Sequence, residues 1–200
     1  MKKLILSSSL VLTGLFAYNL DSNGILHIDK NREQISININ KVKTIECSNL
    51  FPNDMFMINK KVYRVVDDNS IWQYKTQNIC TTHVTNMKEL FKDNKTFNKN
   101  INNWDVSNVT DMSYMFYGAE KFNQPLNNWD VSNVTNMEKM FNWDRSFNQP
   151  LNNWNVSNVT NMRYMFAGAG SFDQPLYHWD LSNVTDMKNM FKGANTGGGL

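Results

Sequence analysis

Residues 129–141 read Trp129-Asp130-Val131-Ser132-Asn133-Val134-Thr135-Asn136-Met137-Glu138-Lys139-Met140-Phe141. Nearly the same stretch opens at Trp104, Trp154 and Trp179, so the shift is 25 residues each time, with no insertion. Met112, Met137, Met162 and Met187 keep one slot, and Phe116, Phe141, Phe166 and Phe191 keep another. Phe122, Phe147 and Phe172 each stand shortly before a Gln-Pro-Leu step. Run backwards, the register also takes in Val84-Thr85-Asn86-Met87, Leu90-Phe91 and Phe97. The copies are therefore 79–103, 104–128, 129–153, 154–178 and a truncated 179–200. A fixed period of this kind marks a repeat array, in which each unit buries its apolar face only against its neighbours.

Within a copy, Trp129 and Val131 alternate with Asn128, Asp130 and Ser132, which predicts a short strand with one buried face. Met137, Met140 and Phe141 then stand at i, i+3 and i+4, the stripe of a short helix. Thr135 and Glu138 would form its capping box. Asp111 and Asp186 would complement the helix dipole in their own copies. Gly118, Gly168 and Gly193 fall where a helix ends. Pro125, Pro150 and Pro175 favour an extended approach to the next strand. The fold class expected is an α/β repeat solenoid, with one parallel strand and one short helix per 25 residues.

The rest of the chain sets the context. It has 200 residues, 41% of them hydrophobic and 19% charged, enough for a buried core. Lys2-Lys3 followed by an apolar run from Leu4 to Phe16 and a small residue at Ala17 predicts a secretory signal peptide over 1–17, with a membrane anchor as the alternative. The formal charge of +2 falls to zero once those two lysines are removed, which argues against nucleic acid or an anionic membrane as partner. In an oxidising compartment Cys47 and Cys80 are a candidate disulfide, against the alternative of two buried thiols.

The Leu-x-x-Trp-x-Val core followed by Val-Thr-Asn-Met and Met-Phe resembles the BspA-type leucine-rich-repeat surface proteins, in the branch with 25-residue WDVSNVTDMSYMF repeats. Asn59–Asp67 and Ile79–Thr82 also resemble the segment that leads into such repeats. The resemblance implies a curved leucine-rich-repeat-like solenoid on an exported bacterial protein, at the cell surface, secreted or periplasmic. It further implies adhesion to host or matrix proteins. Between the signal and the repeats, Ile25–Ile28 and Ile35–Val42 predict a hairpin, and Val62–Val66 another strand. Residues 18–78 then form a β-rich N-terminal cap, or else an independent binding domain.

Candidate binding residues come from the outward strand positions. One ladder is Asp105, Asp130, Asn155 and Asp180; a second is Asn103, Asn128, Asn153 and His178; a third is Ser107, Ser132, Ser157 and Ser182. They read as a polar face for partners in preference to a metal site. Trp143 stands in a slot that is glycine in three other copies, and Tyr177-His178 replaces Asn-Asn. These three residues are candidates for local specificity, as exposed aromatics often are. His178, Asp180 and Ser182 sit two apart on one expected strand, too far from one another for a catalytic triad. The Asn108-Val109-Thr110 sequon and its copies are accounted for as turn residues. No cofactor, metal or catalytic residue is expected. The function expected is non-enzymatic binding of a protein or host matrix component, the alternatives being self-association through the repeats and glycan binding.

Overall fold

A computed structural model describes residues 18–20, 25–30, 33–38, 44–58 and 61–195. The expected signal peptide lies outside them. Three strands, β1 (Tyr18–Leu20), β2 (Ile25–Lys30) and β3 (Glu33–Asn38), form one antiparallel sheet in that order. In the β2–β3 hairpin, Ile28 faces Ile35 across the ladder.

A second sheet leads into the repeats. β4 (Met55–Ile58) pairs antiparallel with β5 (Lys61–Asp67), and β5 pairs parallel with β6 (Ile79–His83) through the single-turn helix α1 (Ile71–Tyr74). The register slips between Val65 and Asp67, and Val65 and Val66 are both buried. An extra residue of this kind lets two successive side chains reach the core, which regular alternation forbids. A disulfide joins Cys47 to Cys80 in β6, with both cysteines buried.

The repeats lie side by side at the 25-residue offset. Parallel bridges link Asn86 to Asp111, then Asn136, Asn161 and Asp186. Their cores run as columns of rings. Phe116, Phe141 and Phe166 stack with centroids 5.5 Å apart, Phe122, Phe147 and Phe172 at 6.0 Å, and Trp129 and Trp154 at 6.4 Å. Two of these indole N–H groups are satisfied inside the core: Trp129 donates to Ile101 O and Trp154 to Leu126 O, both at 3.1 Å.

The expected helix is absent from the described repeats, and its place is taken by a run of turns. The N–H groups of Met115, Tyr117 and Ala119 close four-residue turns onto Met112, Tyr114 and Phe116 O. The N–H groups of Met112, Tyr114, Phe116 and Gly118 instead donate to Asn136, Glu138, Met140 and Asn142 O of the next copy, at 2.8–3.0 Å. Backbones bonded in this way lie about 4.8 Å apart. An α-helix about 10 Å wide, with its own N–H groups consumed internally, cannot be stacked at that spacing. The run is broken from helicity by a left-handed residue at Tyr114 (φ 58), Lys139 (φ 52) and Tyr164 (φ 54), and again four residues on. Thr135 caps nothing, since its hydroxyl donates to Thr110 O one copy earlier. The early acidic residues serve turns as well, Asp111 Oδ1 accepting from Ser113 N–H and Asp186 Oδ1 from Lys188 N–H. The expected strand around Trp129–Ser132 forms no ladder either, and the inter-repeat backbone bonds lie in the turn run instead.

Candidate interaction face

The turn run divides its side chains between two directions. Met137, Met140 and Phe141 point into the core, Glu138 and Lys139 lie towards the outside, and Asn142 is buried, its amide donating to Ala167 O at 2.8 Å. Because copies stack in register, slot 114 recurs at 139 and 164, which puts Tyr114, Lys139 and Tyr164 in one outward column. Lys139 Nζ lies 3.0 Å from the Tyr114 hydroxyl, 4.9 Å from the centre of its ring and 5.6 Å from that of Tyr164. A cation facing aromatic rings is attracted by their negative faces. The Tyr114 hydroxyl in turn donates to Glu138 Oε1 at 3.1 Å. Hydrogen bonding to Tyr114, with Glu138 adding to it, raises the Lys139 ammonium above its ordinary pKa. Asn189 donates to the Tyr164 hydroxyl at 2.9 Å and holds that phenol below its usual value, with Arg163 contributing. The Arg163 guanidinium lies 5.3 Å from the Tyr164 ring.

Trp143 closes the same turn run at its corner. Its indole is 51% exposed and faces the guanidinium of Arg145 at 5.7 Å. Beneath this corner, Asp144 is fully buried in the slot held by Ala119 and Ala169 in the flanking copies. Burial pushes its pKa up to about 9. The backbone N–H groups of Ser146 and Phe147 offset only part of that, and neither carboxyl oxygen completes a hydrogen bond. At neutral pH this carboxyl is therefore a protonated, uncharged group within the core.

The side chains singled out in the sequence are mostly engaged with their own backbone. Asp105 is 5% exposed, with Oδ1 accepting from the Ser107 N–H and hydroxyl, so it is withdrawn from any outer face. Asp130, Asn155 and Asp180 are exposed, and each accepts from the N–H two residues on, at Ser132, Ser157 and Ser182. Those Ser182 contacts hold the Asp180 carboxyl below its usual range. His178 meets the ring of Tyr177 edge-on at 4.4 Å, while Asp180 is turned to Ser182. Asn153 is exposed, and Asn128, partly buried, donates its N–H to Asn102 Oδ1. Tyr177 is 68% exposed, on a loop away from the turn runs.

The asparagines explain much of the stacking. Asn123 Oδ1 accepts from the Asn148 N–H and the Gln149 amide, and Asn98 and Asn148 do the same one copy away on either side. Asn133 donates to Ser107 O at 2.7 Å, and Asn158 to Ser132 O at the same distance. These groups bind one copy to the next, which makes them scaffold. The Tyr114–Lys139–Tyr164 column escaped the sequence reading because only stacking brings it together; the signal was there in the register, as Glu89, Tyr114, Lys139, Tyr164 and Asn189.

A family described as Mycoplasma protein of unknown function, DUF285, matches three overlapping stretches, 30–131, 54–151 and 85–197. The chain belongs to this family. The overlap of the DUF285 matches is what a register sliding along an array produces. No curated protein and no solved structure matches the chain. Among the described residues of this DUF285 protein, no helix is long and apolar enough to cross a membrane.

Proposed function

We propose that this chain is a non-enzymatic binding module on an exported bacterial protein of the BspA-like kind, a short solenoid that engages another protein or a host matrix component through the outward face of its turn runs. The observation that carries this reading is the column in which Tyr114 and Tyr164 flank Lys139, with Arg163 beside the Tyr164 ring and Trp143 exposed at the corner of the same turn run. Tyrosine, tryptophan and arginine dominate the residues that contribute most at protein interfaces. They are held here on backbone bonded from copy to copy, so little order is lost on docking.

The alternative of assembly through the repeat ends meets an obstacle in polarity. The N–H groups of Met112, Tyr114, Phe116 and Gly118, and their equivalents in later copies, point towards the next copy, while at the start of each run the N–H of Thr110, Thr135, Thr160 and Thr185 points back. Two copies meeting by their last described turn runs would set mainly donors against donors. Head-to-tail stacking meets the cap, where Asp68 binds the Thr85 and Asn86 N–H groups and Lys75 reaches Leu90 O.

The test is adhesion of protein-coated beads to immobilised host matrix proteins, comparing the native chain with a Tyr114→Ser/Tyr164→Ser variant and with Asn155→Ala. Loss in the first variant alone supports the face. Equal adhesion of all three places the contact elsewhere, and the absence of adhesion by the native chain overturns the reading. Export is tested separately, by protease shaving of intact cells.

A further inference from the structure

A second feature lies away from that face, where the cap meets the first repeat. β6 starts at Ile79 opposite Arg64, so the first residues of β5 extend past it. A cleft of ≈ 470 Å³ opens there, with Lys61 and Tyr63 on one side and Lys99, Asn103 and Trp104 on the other. Gln77, Asn78 and Asn100 complete the lining together with Ile79. Two ammonium groups thus share a cleft that no carboxylate lines among the described residues. Lys99 is partly buried, donating to Thr76 O at 2.9 Å and Gln77 O at 2.7 Å. Burial first, and repulsion from Lys61 second, lower its pKa, so the two charges sense each other.

Trp104 supplies an independent sign. In the later copies each indole donates to the carbonyl 28 residues earlier, as Trp179 does to Leu151 O at 3.0 Å. For Trp104 the corresponding carbonyl is Thr76 O, which Lys99 has taken. The Trp104 side chain is 3% exposed, and its N–H makes no hydrogen bond among the described residues. The residue lines the cleft, so this N–H is open to an acceptor that enters it.

We propose that this cleft binds an acidic saccharide, whose carboxylate or sulfate sits between Lys61 and Lys99 and whose hydroxyls meet the Trp104 indole N–H and the surrounding amides. Uncompensated cations select an anion. Amide side chains, each both donor and acceptor, suit hydroxyl groups better than a bare inorganic ion. The Tyr63 phenol, raised by burial, stays protonated and remains a donor.

Calorimetric titration of the full chain at physiological salt tests the proposal, with a heparin tetrasaccharide carrying sulfates, a hyaluronan tetrasaccharide carrying carboxylates, and neutral chitotetraose as probes. Saturable binding of either acidic probe at one site is expected, about tenfold or more tighter than the neutral one. Whichever acidic probe binds identifies the anion. Lys61 is exposed and its ammonium makes no hydrogen bond or ion pair among the described residues, so Lys61→Gln, which leaves its backbone pairing in β5 intact, should fold normally and weaken binding about tenfold, while Tyr164→Ser should not change it. Failure of both acidic probes, equal binding of chitotetraose, or undiminished binding by Lys61→Gln overturns the proposal. None of these outcomes bears on matrix adhesion through the turn-run face.

Discussion

The indole of Trp143 lies so close over Gly168 that a Cβ at position 168 would sit 2.8 Å from Trp143 Cε3. Gly168 also has φ +74, and the same slot is glycine at 118 and 193. A left-handed backbone costs a side-chain-bearing residue about 1–2 kcal/mol. At Gly193, φ +72 and with open space around it, Gly193→Ala should cost that alone. Gly168→Ala adds the clash and should cost about 1–3 kcal/mol more. In a Trp143→Ala background the excess should vanish, which denaturant midpoints of the four variants would show.

Asp144 makes stability depend on pH. Its folded pKa of about 9 stands above the unfolded value near 3.9, so the native state keeps a proton that the unfolded chain releases. Stability from this group therefore falls as pH rises from about 4 to about 9, and is level outside that window. At pH 7 the accumulated loss is on the order of 4 kcal/mol. Asp144→Ala, which copies the flanking Ala119 and Ala169, should raise stability by several kcal/mol and flatten the dependence. Unfolding free energies measured at pH 5 and pH 8 decide the matter; a native chain equally stable at both would show that Asp144 is ionised when folded.

Lys139 offers a spectroscopic check on the aromatic column. The Tyr114 hydroxyl raises its pKa, so the pair contributes stability throughout neutral pH and loses it only as pH climbs past the ordinary lysine range. An NMR titration of the lysine side-chain resonances should single out Lys139 as the late one. Tyr114→Phe removes the hydroxyl and should return Lys139 towards its ordinary value. A lysine that titrates with the rest in the native chain would mean the column is not formed.

The repeat period was legible because one large residue recurs per slot, and Phe116, Phe141 and Phe166 occupy one column at the offset the sequence implies. The helix was misread for a physical reason. Met137, Met140 and Phe141 at i, i+3 and i+4 face one way on an α-helix, and they do so equally on a chain of four-residue turns. Only the left-handed residues separate the two, and Tyr114, Lys139 and Tyr164 are not types that advertise positive φ. Gly118, Gly168 and Gly193 gave half the signal, although a glycine ending a helix would look the same. The outward ladder of Asp105 and its counterparts looked available because alternation reports direction and not local hydrogen bonding. Lys61 and Lys99 were beyond reach, brought together only by the junction of cap and first repeat.

The Cys47–Cys80 bond closes a loop with a sequence separation of 33. In the chain-entropy account a loop of that size stabilises by about 3–4 kcal/mol. The loss should fall on the cap, since the repeats beyond the first are held by their own backbone bonds. Cys47→Ala/Cys80→Ala should therefore raise amide exchange in β5 and β6 well before it affects the N–H of Tyr114 or Phe141. Uniformly faster exchange along the chain would instead mean that cap and repeats unfold as one unit.

Burial along the phenylalanine column predicts a gradient. Phe141 is flanked by Phe116 and Phe166 at 5.5 Å, stacks on Phe147 at 4.1 Å and is fully buried. Among the described rings Phe191 stacks only on Phe166, at 5.6 Å, and it is partly exposed. Removing a fully buried phenylalanine ring costs about 3–5 kcal/mol. Phe141→Ala should fall in that range, and Phe191→Ala well below it. The distinction matters for how the array unfolds. Where each copy touches only its neighbours, an end copy can open by itself, whereas a central one breaks two interfaces. Phe191→Ala should therefore speed amide exchange only in the last copy, and Phe141→Ala should do so on both sides of the third. Equal costs for the two variants would mean that the last described copy is covered as fully as the central ones.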